Sequence, residues 1–294
     1  MPNHHIVSTG TSDSRPGVYR PTMDNILTFE IEDRFHVDNP DMEPLEARSR
    51  IIPLLIHLLD LLDEQKANAT FFILGWVARK FPEVVALIDS RGFEVASHGF
   101  THGDVRQMPL DKFRSELERS KAQLEEIIGK PVRGYKAASP YLSHDHLTHY
   151  RVMAEAGYAY DCSMVAEGPR MGSQKPFSIS ANDDRSVMVI PQSTSRKLGV
   201  KLRFGENVRT LPGWLGIRII KNLNDKGLPA MINMKLWELD VYHPRTASQE
   251  YLHYSEYGNL SLGEEKLRRL LEYFRFSSCS DALEHWQKQV PQGK

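Results

Sequence analysis

Hydrophobic positions along the chain come in two alternating kinds of run. Short stretches rich in β-branched and aromatic residues, Ile26-Leu27-Thr28-Phe29, Ala69-Thr70-Phe71-Phe72-Ile73-Leu74 and Phe93-Glu94-Val95-Ala96, read as strands, as do 132–137, 187–190 and 230–234. Between them apolar residues recur at helical spacing, as in Ile51, Ile52, Leu55, Leu58, Leu59 and Leu62, and again in Leu110, Phe113, Leu117, Leu124, Ile127 and Ile128. The pattern also predicts helices over 76–91, 146–156, 211–226 and 264–274. Gly92, Gly129, Gly157 and Gly227 each stand just after a helical segment, where glycine commonly stops a helix. Strands and helices alternating from end to end predict an α/β fold with a parallel sheet or barrel. No repeat, low-complexity segment or linker interrupts the alternation. The expected organisation is one domain over residues 25–276, a polar tail over 1–24 and a C-terminal extension over 277–294.

Composition narrows the partners. The formal net charge is −1 and no long run of Lys or Arg occurs, which argues against nucleic acid or an anionic membrane as the main partner. The most apolar stretch, 51–62, carries His57 and Asp60 and is too short to span a bilayer. Residues 1–25 lack the apolar core of a secretory signal. The two cysteines, Cys162 and Cys279, form neither a disulfide framework nor a CxxC motif, and two isolated thiols fit a reducing compartment. A cytoplasmic location is expected.

In parallel α/β folds the functional residues gather at the C-terminal ends of the strands. Here the first strand ends in Glu30, Glu32 and Asp33, the third delivers His98 and His102, the strand near 135 ends at Lys136, and that near 232 ends in Lys235, Trp237 and Glu238. Two histidines four apart in a helical turn share one face and can grip one metal ion. Such a pair also occurs as surface or capping histidines. The acids favour the metal reading, since a carboxylate completes a two-His-one-carboxylate set suited to Zn²⁺, Co²⁺ or another first-row ion. Strand pleating puts Glu30 and Glu32 on one face, and Asp33 at the loop start can reach as well, so either Glu32 or Asp33 can supply the oxygen ligand.

The segments that carry these residues resemble the polysaccharide deacetylase superfamily, and within it the exosortase-associated subgroup found with exopolysaccharide gene clusters. The resemblance runs through Glu30-Ile-Glu-Asp-Arg-Phe35, Ala67-Asn-Ala-Thr-Phe-Phe-Ile-Leu-Gly-Trp-Val-Ala78, Glu94-Val-Ala-Ser-His-Gly-Phe-Thr-His102, Pro131-Val-Arg-Gly-Tyr-Lys-Ala-Ala-Ser139, Gly157-Tyr-Ala-Tyr-Asp-Cys-Ser163 and Lys235-Leu-Trp-Glu-Leu-Asp240. It implies a distorted (β/α) barrel of the deacetylase type. It also implies a divalent metal, Zn²⁺ foremost, on His98, His102 and Glu32 or Asp33. The implied reaction removes N-acetyl groups from an amino-sugar polymer or oligosaccharide in exopolysaccharide biosynthesis.

The implied acid/base set departs from the family pattern at three positions, and Ala138 replaces the proline that follows Lys136 and its neighbour in that pattern. Glu30 stands where the family has a base Asp, Lys136 where it has an Arg that holds the base, and Lys235 where it has the acid His. Glu is longer by one methylene, and Lys lacks the bidentate fork of Arg. An ordinary Lys titrates near ~10.4, well above the working range of a general acid. The changes fit altered or weakened hydrolysis, and equally a silent relative that binds carbohydrate or acts as a scaffold.

Overall fold

The structure, a computed structural model, describes residues 24–32, 50–138, 142–143, 146–165, 175–181, 184–197, 200–202, 208–242 and 260–289. In chain order the elements are β1 (Asn25–Ile31), α1 (Ile51–Gln65), β2 (Thr70–Ile73), α2 (Gly75–Lys80), α3 (Pro82–Ser90), β3 (Glu94–Ser97), α4 (Leu110–Ile128), β4 (Gly134–Tyr135), α5 (Leu147–Glu155), β5 (Tyr160–Asp161), β6 (Phe177–Ser180), β7 (Ser186–Val189), β8 (Ser195–Lys197), β9 (Val200–Leu202), α6 (Gly213–Asn224), β10 (Met231–Lys235), α7 (Gly263–Tyr273), β11 (Phe276–Ser277) and α8 (Cys279–Gln289).

The main sheet runs β10-β1-β2-β3-β4-β5-β7-β6, and β11 pairs with the first residues of β1. Every pairing on this path is parallel except β6 with β7. Among the described residues β10 and β6 do not pair, so the curled sheet is an open, distorted barrel, as the alternation predicts.

Strands at its centre are buried on both faces, and pleating divides their side chains between two cores. Leu27, Phe29 and Ile31 of β1 join Phe71 and Ile73 of β2 under the helices, with Leu55, Leu58, Leu59 and Leu62 of α1. Ile26 faces the other way, into a smaller cluster with Phe72, Ala96, Tyr160, Cys162, Ile190 and Met231, closed by Cys279 and Leu283 of α8. The inward face of β1 therefore reads Ile26, Thr28, Glu30, Glu32: apolar at its foot and acidic at its C-terminal end.

The helix expected over 76–91 is two helices. Pro82 has no N–H to donate and its ring would clash with the carbonyl four residues back, so α2 closes with Phe81 N–H on the Val77 carbonyl at 2.8 Å and α3 restarts with Pro82 in its first turn. The strand expected over 132–137 is a short one, β4. Gly134 has to be glycine, because a Cβ there would lie 2.1 Å from the Tyr160 hydroxyl oxygen of the neighbouring strand.

Candidate metal centre

At the C-terminal ends of β1, β3, β4 and β10, the ionisable residues meet. Glu30, Glu32, His98 and Lys136 are fully buried, and Lys235 closes the group with a side chain 29% exposed. Asp33 lies outside the described residues. Glu32, His98 and His102 each offer one ligand atom, and these atoms all lie within 4.8 Å of one another. His102 Nε2 is 3.1 Å from Glu32 Oε2 and His98 Nε2 is 3.8 Å from it. Glu30 Oε2 is 3.7 Å from His98 Nε2. All four of these atoms, Glu30 Oε2, Glu32 Oε2, His98 Nε2 and His102 Nε2, are buried without a properly aligned hydrogen bond. One such orphan costs about 1–3 kcal/mol; Lys235 Nζ stands near Glu30 Oε2, but Glu32 Oε2, His98 Nε2 and His102 Nε2 face one another and call for a common partner. A divalent cation is a partner that nitrogen and carboxylate lone pairs can share.

The tautomer of His98 agrees with this. Its Nδ1 faces the Lys136 carbonyl oxygen at 2.9 Å, an atom that can only accept, so Nδ1 carries the proton and Nε2 presents its lone pair. Burial pushes the His98 pKa down to about 4, with Lys136 adding to the effect and Glu30 opposing it. The ring is thus neutral at any ordinary pH, as a metal ligand must be.

The two histidines do not share a helical turn. They sit on a loop that reverses at Gly99, whose φ of +78° suits glycine, and their ring centroids are 6.0 Å apart. The loop is pinned from two sides. The Gly75 and Trp76 amides at the start of α2 donate to the carbonyls of Gly99 (2.8 Å) and Phe100 (3.1 Å). Glu116 of α4 accepts from the Thr101 amide (2.6 Å) and hydroxyl (2.8 Å).

The carboxylates divide their oxygens in the same way. Glu30 Oε1 accepts from Lys136 Nζ and from Asn233 Nδ2 at 2.9 Å, leaving Oε2 toward the histidines. Thr28 Oγ1 donates to Asn233 Oδ1 at 2.8 Å and so fixes which end of that amide meets Glu30. Glu32 Oε1 accepts from Lys235 Nζ at 2.6 Å and lies 3.3 Å from Trp237 Nε1, leaving its Oε2 for the cluster. Burial works to raise the pKa of both carboxyls, but Lys136 and Lys235 outweigh it at Glu30, and Lys235 with His102 at Glu32. Both are held well below the usual carboxylate range. Lys235 Nζ is also 3.2 Å from Glu30 Oε2; burial works to lower its pKa, and Glu32 and Glu30 hold it far above the ordinary lysine value.

The residues expected at the site thus converge, Asp33 apart. Asn233, Glu116 and Thr28 are the contributors that the sequence does not reveal. Asp161 accepts from Ser163, whose Oγ in turn accepts from the Ala137 amide at 2.7 Å, so it braces the backbone beside Lys136. His149 faces the Val105 carbonyl at 3.1 Å and His146 faces Ser143, so neither turns its hydrogen bonds to the cluster; His144 lies outside the described residues.

Comparison with known proteins gives two family matches that abut. Residues 54–160 match the polysaccharide deacetylase family and residues 162–284 match a domain of unknown function, DUF3473. A peptidoglycan-N-acetylglucosamine deacetylase of Bacillus cereus is 31% identical over 103 residues, covering 35% of this chain and 31% of the relative. A chitooligosaccharide deacetylase of Sinorhizobium fredii is 34% identical over 103 residues, 35% of this chain and 46% of the relative. The matched stretch spans about a third to a half of the length of these curated relatives. Among solved structures, one assigned to the polysaccharide deacetylases from Mycobacterium smegmatis superposes with a TM-score of 0.62 at 19% identity, covering 94% of this chain and 97% of that one. The PuuE allantoinase superposes with a TM-score of 0.59 at 16% identity, covering 91% of each chain. At these identities the superpositions speak for the fold.

Proposed function

Since the chain belongs to the polysaccharide deacetylase superfamily, with the DUF3473 region following the deacetylase region, we propose that it is a metal-dependent amidohydrolase that removes N-acetyl groups from amino sugars in exopolysaccharide assembly, at a rate held down by its altered acid/base set. The observation that carries this reading is the convergence of buried ligand atoms from Glu32, His98 and His102, with Glu30 beside His98. Glu32, His98 and His102 would hold the ion, with Zn²⁺ or Co²⁺ suited to the mixed nitrogen and oxygen donors. When bound, it supplies Lewis-acid polarisation of the acetamide carbonyl and of an attacking water.

The chain's own residues divide the remaining work. Glu30 is the base: Lys136 and Asn233 hold one of its oxygens and the other faces the cluster. Lys235, the partly exposed member, is the donor for the leaving amine. Both fit poorly. Glu30 sits a methylene further along than an Asp, and displacement by ~1 Å can cost on the order of 10²-fold in rate. Lys235 is held so firmly charged by two carboxylates that it gives up a proton reluctantly. The same ion pairs favour a second reading, a silent relative that keeps the fold and binds carbohydrate.

A deacetylation assay on acetylated chitooligosaccharide with saturating Zn²⁺ or Co²⁺ separates the two. Wild-type turnover should be low, and Glu30→Asp, Lys136→Arg and Lys235→His combined should raise it by more than the product of the single changes, because groups acting as one unit are non-additive. Robust wild-type turnover that the triple change lowers would show Glu30 and Lys235 to be a working pair of their own.

A further inference from the structure

The cluster carries its own cation. Lys235 Nζ bridges the two carboxylates, 2.6 Å from Glu32 Oε1 and 3.2 Å from Glu30 Oε2, while Lys136 holds the far oxygen of Glu30. Two ammonium groups thus face the two carboxylates before any metal arrives. A divalent ion at Glu32, His98 and His102 would therefore enter a buried site whose carboxylates already have ammonium partners, one carboxylate away from Lys235 Nζ. Repulsion between a divalent ion and an ammonium group is strong at such a separation where water is largely excluded. A His at this position, as in the family pattern, carries no permanent charge and can meet the ion as a neutral ring.

We infer that Lys235 is an internal counter-cation that stabilises the metal-free protein and lowers the affinity of the site for its metal. The inference rests on the reading that Glu32, His98 and His102 form a metal site. Its consequence is that the protein has a stable metal-free resting form, in which an ammonium group stands in for part of the charge the metal would bring. Loading with metal requires Lys235 to swing toward the rim, where it is already partly exposed. Glu238 assists the metal-free form: its carboxylate accepts the Lys235 amide at 2.9 Å and the Arg209 guanidinium at 3.0 Å, which fixes the backbone that aims Lys235 inward.

The test is direct titration of Zn²⁺ into chelator-treated full-length protein by calorimetry, with thermal melts in chelator and in excess Zn²⁺. Lys235→Met keeps the length of the side chain and removes its charge, and Lys235→His is a second variant should the first fail to fold. The expected result has two parts. Metal-free Lys235→Met melts below metal-free wild type, because two buried carboxylates have lost a counter-ion. Both variants bind Zn²⁺ at least about tenfold more tightly than wild type, the equivalent of about 1.4 kcal/mol, and gain more in melting temperature on loading. Equal or weaker Zn²⁺ binding by the variants would overturn the role of Lys235 while leaving the metal site standing. No binding by wild type or either variant would overturn both.

Discussion

At the scale of single residues, surroundings set the chemistry more than residue type does. Asp161 shows this clearly. Enclosed at the end of β5, it accepts from Ser163 and from the Tyr150 hydroxyl, yet burial outweighs these donors and pushes its pKa up to about 6. An unfolded Asp titrates near ~3.9. Between those values the folded protein holds a proton that the unfolded chain has released, so this contribution to stability is full below about pH 4 and is lost as pH rises through 6. Asp161→Asn has no proton to lose. Urea melts at pH 4.5 and 7.5 should show the stability difference between wild type and Asp161→Asn moving in favour of the variant at the higher pH, by on the order of 2 kcal/mol. A difference independent of pH would mean that Asp161 is ionised throughout.

At the scale of elements, the site depends on the contacts by which α2 and α4 hold one loop. Gly75 opens α2, and a Cβ there would come 2.5 Å from Cδ2 of Phe100 and 3.2 Å from its Cα. Phe100 lies between the two histidines, so the loop has to yield. Gly75→Ala should gain up to about 1 kcal/mol of helix propensity and lose about 1–3 kcal/mol to overpacking. The net change in a chelator melt is therefore a modest loss, while Zn²⁺ affinity should fall by about tenfold or more, with every ligand still present. Unchanged affinity would show that α2 does not position the loop.

This scale also marks where sequence reasoning succeeds and where it stops. The alternation of short and helical runs gives the parallel sheet, and pleating puts Glu30 and Glu32 on one face, because both depend on neighbours along the chain. The histidine pair is recognisable by residue type, but the reversal at Gly99 replaces the helical turn that its spacing suggests. Asn233 stays hidden, since a neutral amide in an apolar strand acquires its role only from the register of β1 with β10, which sets Thr28 opposite it from 205 positions away. β4 is legible as part of the longer run 132–137, whereas the two-residue strands β5 and β11 are not, because at that length pairing is decided by the partner strand alone.

At the scale of the whole molecule, the segment beyond residue 276 decides whether the barrel is closed at its foot. The sequence alone sets residues 277–294 apart as an extension, but Ser277 belongs to β11 and α8 packs against the inner core, where Cys279 and Leu283 meet Ile26, Phe72 and Cys162. Glu94, at the start of β3, ties α8 down. Its carboxylate accepts from Thr70 Oγ1 at 2.6 Å and from the Tyr160 hydroxyl at 2.8 Å, both in the barrel, and from the Ser280 amide at 3.1 Å and the Ser280 hydroxyl in α8. Thr70 in turn accepts the Cys279 amide at 2.8 Å. Glu94→Ala strands at least the Tyr160 hydroxyl and the Ser280 amide. At about 1–3 kcal/mol for a buried donor left without an acceptor, and less for the partly exposed Ser280 amide, the expected loss is on the order of 3 kcal/mol, a large fraction of a typical domain's stability. The loss should appear in the single main unfolding transition, since α8 shares a core with β1, β2 and β5. Hydrogen exchange gives the sharper measurement: in wild type the α8 amides should exchange no faster than those of β1 and β2, and in Glu94→Ala the protection of all three should fall together. If α8 exchanges early and alone while the barrel keeps its protection, residues beyond 276 are an appendage, and the foot of the barrel is held by the strands themselves.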